Sequence, residues 1–496
     1  MKNIFRNKMY SRIRTVVVGL LITMYVVSCT EDFAEMNRNP NGATDIPTTY
    51  LLTSAQQKLI TINSSLGFNK TMMLWTQQWA QRETTNRSRY DLAPTGDWNS
   101  FYTSGIPDLV SIIELNQGEF KDDYNSYGDN DNRIAVARIM KAWAYSLMTD
   151  AWGDIPYSQA HNRDYSFPAY DLQSEIYPDL IKELNEAAAQ IKESEPGFIS
   201  GDLMYDGDMT KWKKFANSLR ARLAVRMMKA NSTLAQSELA DALSSPIFES
   251  NDDNALINFQ NSDDYANPIY AEFLTQNWTF PTKMLVDTML YLNDPRLPIY
   301  TDTTENASVD DYVGLQYGLE DAASTLDPNT KPKLSKIGAF IREQSFPSIL
   351  MSYSELMFIK AEAAEKGWVA GDAAALYDAA ITANMAFWGV DAADITTYLS
   401  EPDVVYNAGT SDELIGLQRW LSLYTQGAQA YFEWRRTGQP GLTIPATGFL
   451  FNEITEMPRR YFYPITEAQL NGENLQAAQD RLSGGDKLTS KIWIDQ

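Results

Sequence analysis

The chain carries one histidine, His161, and one cysteine, Cys29. A catalytic triad or a zinc site would need a second histidine or thiol to complete it, and the sequence offers none. His161, shortly after Trp152–Tyr157, reads as a hydrogen-bonded loop residue rather than a catalyst. A glycosidase needs two facing carboxylates, but among 64 acidic residues spacing singles out no pair. No serine or threonine nucleophile motif and no Gly-rich phosphate loop is present. What remains is aromatic rings set beside amides and carboxylates. A pyranose stacks its apolar C–H face on a ring and offers its hydroxyls to amide, carboxylate or guanidinium groups. The stretch 90–102 (YDLAPTGDWNSFY) meets those demands: Pro94 and Gly96 break its periodicity while Tyr90, Trp98 and Tyr102 crowd together with Asp97 and Asn99. A second group is Tyr265, Tyr270, Asn277 and Trp278, and a third is Tyr312 and Tyr317 in a glycine-punctuated stretch. Each ring also admits the plainer role of pinning its own loop.

Helices must hold these loops. Leu51, Leu52, Ala55, Leu59 and Ile62 follow i, i+3/4 spacing. Ile134, Ala137, Ile139, Met140, Trp143, Leu147 and Met148 predict a second helix, apolar nearly all round and therefore buried. Leu172, Ile176, Leu180, Ile181, Leu184, Ala188 and Ile191 predict a third, with Asp171 placed to cap it. Trp212, Phe215, Leu219, Leu223 and Met227 predict a fourth. Trp143, Trp212, Trp388, Trp420 and Trp434 sit at helical spacing and are expected in the core. At 361–381 (AEAAEKGWVAGDAAALYDAAI) two helices meet across a glycine-bearing turn, with small residues at packing positions. The pattern resembles a tetratricopeptide repeat; the alternative is any alanine-rich helical hairpin. A further pair is expected at 412–437. The stretches 91–107, 251–280 and 301–347, rich in Asp, Asn, Gly, Pro and aromatics, read as long insertions on this scaffold.

The N-terminus says where the chain goes. Five basic residues and no acidic one precede an apolar run of about 13 residues, Thr15 to Val27. That is too short to cross a bilayer, which takes roughly 20 helical residues. A charged start, a short apolar middle and a small residue, Ser28, describe a signal peptide over residues 1–28. Val26-Val27-Ser28-Cys29 resembles a bacterial lipobox, so Cys29 is expected to be lipidated and to become the mature N-terminus. The alternative is an ordinary signal peptide with a buried free cysteine. Two or more acyl chains make such an anchor stable. Residues 29–47 are polar and turn-rich, which suits a tether, and ~18 extended residues reach about 60 Å. A single domain is expected over 48–496. Removing residues 1–28 takes away five of the 41 basic residues and none of the 64 acidic ones, leaving a net charge of −28. That charge excludes nucleic acid as a partner. Asp122–Asp131 and Asp252-Asp253 offer clustered oxygens, but position 12 from Asp123 is Ile134, not the Glu of an EF-hand. They read as solvated acidic loops, and neither a metal nor a cofactor is expected.

From end to end the chain resembles the SusD/RagB-like outer-membrane lipoproteins of Bacteroidetes, in their second large subgroup. The resemblance rests on Asn39-Pro40-Asn41, the run Ala151 to Tyr157 (AWGDIPY), the run Trp212 to Arg220 (WKKFANSLR) and Asp294-Pro295-Arg296-Leu297. Glu433 to Gly438 (EWRRTG), Pro458-Arg459-Arg460, Tyr463-Pro464 and Lys491-Ile492-Trp493 complete it. Thr30-Glu31-Asp32 resembles the acidic tag of surface-exposed lipoproteins in such bacteria. The resemblance implies a mainly α fold of four tetratricopeptide-like helix pairs with long loop insertions and little β. It implies a non-enzymatic job: capturing an extracellular oligosaccharide and delivering it to a SusC-like TonB-dependent outer-membrane transporter; the alternatives are a peptide or another small nutrient as ligand, or a scaffold of the uptake complex that binds no ligand itself. In relatives a loop tryptophan closely followed by an amide contributes to the glycan cradle. Trp98 and Asn99 are the nearest match here, at a spacing that is not identical.

Overall fold

The apolar repeat Leu52, Ala55, Leu59, Ile62 buries one face of α1 (Thr48–Asn63). Next come α2 (Asn69–Trp75), buried along its whole length, and the short strand β1 (Trp79–Gln81). Helices α3 (Asp97–Thr103) and α4 (Ile106–Gln117) lead to α5 (Asn130–Trp152), whose first turn is capped by Asp129 accepting from the Asn132 amide at 3.0 Å. The chain then forms β2 (Ile155–Pro156), β3 (Tyr170–Asp171), α6 (Gln173–Gln190), α7 (Met209–Arg226) and α8 (Ser232–Ser244). It continues through β4 (Ala255–Ile257), α9 (Pro268–Thr275), β5 (Thr279–Pro281), α10 (Lys283–Tyr291) and β6 (Ser348–Met351). The last helices are α11 (Tyr353–Glu365), α12 (Ala373–Phe387), α13 (Ala392–Tyr398), α14 (Ser411–Ser422), α15 (Gly427–Thr437) and α16 (Gly472–Arg481). This computed structural model describes residues 47–496 apart from 92–96, 119–120, 122–125, 277, 306–309, 321–332 and 446–448. The signal peptide, Cys29, Asn277 and part of the Asp122–Asp131 run therefore lie outside the described residues.

The fold is mainly α. Helix pairs α5/α6, α7/α8, α11/α12 and α14/α15 pack side by side, and α1 lies on α4. The strands among the described residues make three two-stranded antiparallel ribbons, β1–β5, β2–β3 and β4–β6, the last with an irregularity between Ala255 and Leu256. The tryptophans at helical spacing are core: Trp143, Trp212, Trp388, Trp420 and Trp434 are all buried. Helix α5 is buried on almost every face, and its half-buried Arg138 and Lys141 reach Glu183 on α6 at 2.8 and 3.6 Å.

Two expectations change. Asp171 does not cap α6; its carboxylate accepts from the Tyr157 and Ser158 amides at 3.0 and 2.7 Å, and Asp154 takes the Gln173 amide at 2.8 Å instead. The partner comes from the bend between α5 and β2 because Asp171 is itself engaged in a ribbon. Residues 97–103, read as loop, are helix α3. Pro94 and Gly96 break the pattern ahead of this turn, not within it.

A band of buried charge crosses the helix pairs. Glu433 on α15 accepts from Arg419 at 2.7 Å, Arg436 at 2.8 Å and Arg226 at 3.4 Å. Glu362 on α11 takes Arg436 at 2.6 Å and Arg419 at 3.0 Å, and Arg226 also pairs with Asp150. Every member is at most 6 % exposed. Helices α2 and α15 approach closely where Gly427 lies: a Cβ there would stand 2.2 Å from the Asn69 carbonyl oxygen. Gly427→Ala is expected to cost about 1–3 kcal/mol by forcing these helices apart. The readout is the urea midpoint, and an unchanged midpoint would mean that α2 yields freely.

Outside this band the acidic clusters have partners. Asp129 and Asp131 hold Lys192 at 3.0 and 2.7 Å, and Asp253 holds Lys214 at 3.1 Å.

Candidate functional site

In α3, Trp98, Phe101 and Tyr102 fall at i, i+3 and i+4 and so share one face. Trp98 is 1 % exposed. Tyr170 stacks on it at 5.9 Å, Trp152 and Tyr463 meet it edge-on at 5.3 and 5.9 Å, and Tyr102 lies tilted at 5.3 Å. This ring is a pillar among other rings. The Tyr102 hydroxyl donates to the Pro156 carbonyl at 2.7 Å, tying α3 to β2.

The ribbon β2–β3 pairs Ile155 with Asp171 and Pro156 with Tyr170, and between its strands runs the loop 157–169. Its neck is closed by Asp171, which also accepts from the Ser158 hydroxyl at 2.7 Å, and by the Ala169 amide donating to Gln159 at 2.9 Å. The C-terminal part of the chain fastens the far side. Asn471 donates to the Pro168 carbonyl at 2.7 Å, Asn474 to that of Phe167 at 3.1 Å, and the Tyr170 hydroxyl to Glu467 at 2.6 Å. Held at both ends, the loop still exposes two rings, Tyr165 at 47 % and Phe167 at 68 %.

Two cavities adjoin at this loop. The larger, about 830 Å³, lies between α4, α5, α6 and the loop, with Glu114, Lys141, Tyr145, Asp179, Glu183 and Arg163 in its walls. The smaller, about 330 Å³, is bounded by Trp98, Asn99 and Tyr102 of α3, by Pro156 and Pro168, and by Glu467, Leu470 and Asn471. Ala160 and His161 belong to both linings. Tyr145 meets Tyr157 edge-on at 4.9 Å, and the Tyr157 hydroxyl donates to Asp179 at 2.7 Å. Burial, reinforced by Asp179, pushes the Tyr157 phenol well above its ordinary range, so it stays a neutral donor. Burial, and then the Lys141 ammonium, lower His161 below its ordinary 6.5. Its imidazole is therefore neutral at pH 7. Its backbone is left-handed, with φ +61°, a conformation that histidine shares with Asn and Asp more readily than other non-glycine residues do.

The sequence-expected residues divide. Trp98, Asn99 and Tyr102 come together at the smaller cavity, Asn99 and Tyr102 half-buried. Asp97 faces away: its carboxylate meets Ser65 at 3.4 Å and fills the space beside Gly67, where a Cβ would stand 2.0 Å from Oδ2. Burial raises its pKa. Tyr90 is fully buried, its hydroxyl 3.3 Å from the Met457 sulfur and beside the Tyr317 phenol, which is buried too. Tyr270 lies half-buried in α9, Trp278 half-buried before β5 with its carbonyl accepting from the Arg82 amide at 2.8 Å, and Tyr312 is half-buried. None of these four tyrosines or Trp278 lines either cavity.

Sequence reasoning missed the loop 157–169 and the segment 467–471. A signal was present in 158–169 (SQAHNRDYSFPA), where turn formers interleave with Tyr165 and Phe167 between two short β segments. His161 also differs from expectation: its Nε2 is buried without a hydrogen-bond partner among the described residues.

A family profile described as SusD-like, starch-binding and associating with the outer membrane matches residues 40–464. Among solved structures, a chitin-binding protein is 28% identical, with a TM-score of 0.78 over 90% of this chain and 99% of its own. A SusD homologue from Bacteroides uniformis is 25% identical, with a TM-score of 0.77 over 90% and 99%. A chitin-binding SusD homologue from Flavobacterium johnsoniae shares the fold at 24% identity, with a TM-score of 0.76 over 90% and 98%. No curated protein matches the chain.

Proposed function

The chain belongs to the second SusD-like family, of starch-binding proteins associating with the outer membrane, and from that premise we propose that it captures an extracellular oligosaccharide and delivers it to a SusC-like TonB-dependent transporter. In this reading residues 1–28 are removed, Cys29 carries the lipid anchor, 29–47 form the tether and 48–496 form one ligand-binding domain at the cell surface. The role is binding, with no catalytic step.

The observation that carries the reading is the meeting of Asn99, Tyr102 and His161 at a cavity also lined by Ser166 and Pro168, the neighbours of the exposed Phe167. An amide, a phenol and an imidazole suit sugar hydroxyls, and an exposed ring suits the pyranose face. The buried Trp98 shapes that cavity from behind. Starch, named in the family's description, and chitin, named for a similar structure, set the first ligands to try.

The test is binding of the chain from Thr30 onward to an array of polysaccharides and peptides. A glycan hit is expected. Phe167→Ala should weaken it by about 1 kcal/mol, roughly fivefold, without moving the unfolding midpoint, because the ring is mostly in solvent. Equal affinity for the variant would remove Phe167 from the site. A second reading, a peptide ligand, draws on the larger cavity, whose lining mixes Glu114, Asp179 and Glu183 with Lys141 and Arg163. Peptide hits with no glycan hit would select it.

A further inference from the structure

We propose that His161 is the specificity-determining contact of this site: standing where the two cavities join, its imidazole accepts a hydrogen bond from a ligand hydroxyl and selects an uncharged chain of at least two linked sugar units that runs from one cavity into the other. The inference rests on the sugar-binding reading above and goes beyond it by naming the junction and what must cross it.

Three independent observations support it. First, position: together with Ala160, His161 lines both cavities, so a ligand extended over both would lie against it. Together the cavities offer far more room than one pyranose ring fills. Second, the orphaned atom: Nε2 is buried with no partner among the described residues. A buried polar atom left unsatisfied costs free energy, and such atoms in a folded protein call for an explanation. A ligand hydroxyl supplies one. Third, placement: the loop is pinned at its neck and at Phe167 and Pro168, which fixes the imidazole in position before any ligand arrives.

The direction of the hydrogen bond follows from the surroundings. Lys141 from α5 and Arg163 from the same loop disfavour a second positive charge on the ring. Glu114 from α4, Asp179 and Glu183 from α6 and Glu467 beyond the smaller cavity favour one. Of the carboxylates, Glu183 is neutralised by Arg138 and Lys141, and Asp179 and Glu467 already accept from Tyr157 and Tyr170. Tyr102, Tyr145 and Tyr157 remain neutral, since burial raises all three phenols. Burial of the imidazole and Lys141 prevail and the ring stays neutral, so that in the tautomer with its proton on Nδ1 the Nε2 lone pair is an acceptor, the form the proposal assigns.

Because His161 is the chain's one histidine, its imidazole proton signal in NMR is unambiguous in tag-free protein. The experiment titrates the chain from Thr30 onward, which contains the whole unit Thr48–Gln496, with chito- and malto-oligosaccharides of increasing length. Binding is followed by calorimetry and the imidazole by NMR. Affinity is expected to rise steeply from monosaccharide to disaccharide and longer, and binding should shift the imidazole signal and lower its titration midpoint. Wild-type affinity should hold down to pH 6.5 and fall below it. His161→Asn, which tolerates the left-handed backbone, should bind about fivefold more weakly at pH 7.5, the worth of one hydrogen bond, and lose that pH dependence. Oligosaccharide binding that leaves the wild-type imidazole unmoved would overturn the proposal while leaving glycan capture intact. Equal affinity for mono- and oligosaccharides would overturn the spanning ligand. If no oligosaccharide binds, both readings fall together.

Discussion

Glu433→Ala is expected to lower the unfolding free energy by about 3–5 kcal/mol, the range found when one member of a buried ion pair is removed. The reason is charge balance. Arg226, Arg419 and Arg436 meet Glu433, Glu362 and Asp150 in a band at most 6 % exposed. Removing Glu433 leaves three guanidinium groups facing two carboxylates with little solvent to screen the excess. Glu362, already engaged by Arg419 and Arg436, cannot also reach the vacated place beside Arg226. The measurement is the urea midpoint at constant slope, and a loss below 1 kcal/mol would show that water enters the band. The same band sets acid stability. Burial alone would raise Glu362, yet Arg436 and Arg419 hold it at about 2 against an ordinary 4.5. Glu433 is lowered as well, again against the effect of burial, by Arg436, Arg419 and Arg226. A carboxylate depressed in the folded state stabilises fully above its unfolded value and loses that stabilisation as pH falls through its folded one. Wild type is therefore expected to weaken between pH 4.5 and 2, and Glu433→Ala to be less steep there because one of the protonating groups is gone.

Trp98→Ala is expected to destabilise by a similar amount, about 3–5 kcal/mol, and to weaken ligand binding as a consequence. The ring is enclosed by Tyr170, Trp152, Tyr463 and Tyr102, so truncation opens a void where four aromatic contacts were made. Trp98→Phe keeps part of that packing and should recover most of the stability and the binding together. Parallel recovery marks a pillar. A variant with unchanged stability and abolished binding would instead mean that the indole meets the ligand directly.

The helical scaffold was legible because its period is local. The spacing of Leu52, Ala55, Leu59 and Ile62, or of Ile134, Ala137 and Met148, needs no knowledge of the partner element to declare a buried face. The tryptophans at helical spacing declared themselves in the same way. Helix α3 was missed although Trp98, Phe101 and Tyr102 carry its period, because about two turns are too short to stand out beside Pro94 and Gly96. Half of the candidate site was readable, namely Trp98, Asn99 and Tyr102, which lie together in sequence. The rest was not, because Asn99, His161 and Asn471 meet only through tertiary packing. Asp171 shows the same limit in small: its type and place suit a cap, and only the ribbon it joins reveals that its carboxylate is already engaged.

The fastening of the loop 157–169 by Glu467, Asn471 and Asn474 bears on how the molecule is made. One wall of the site emerges from synthesis some three hundred residues before the bonds that secure it. Tyr463 and Arg481 likewise reach back to Asp154 at 2.8 and 2.6 Å. Contacts of such long separation form late, since the chain between them must first be closed into a loop. The site is thus among the last parts to mature. A truncated product, lacking these residues, would keep much of its helical body and yet have no firm grip to offer, so that holding ligand is itself a certificate that the chain was finished.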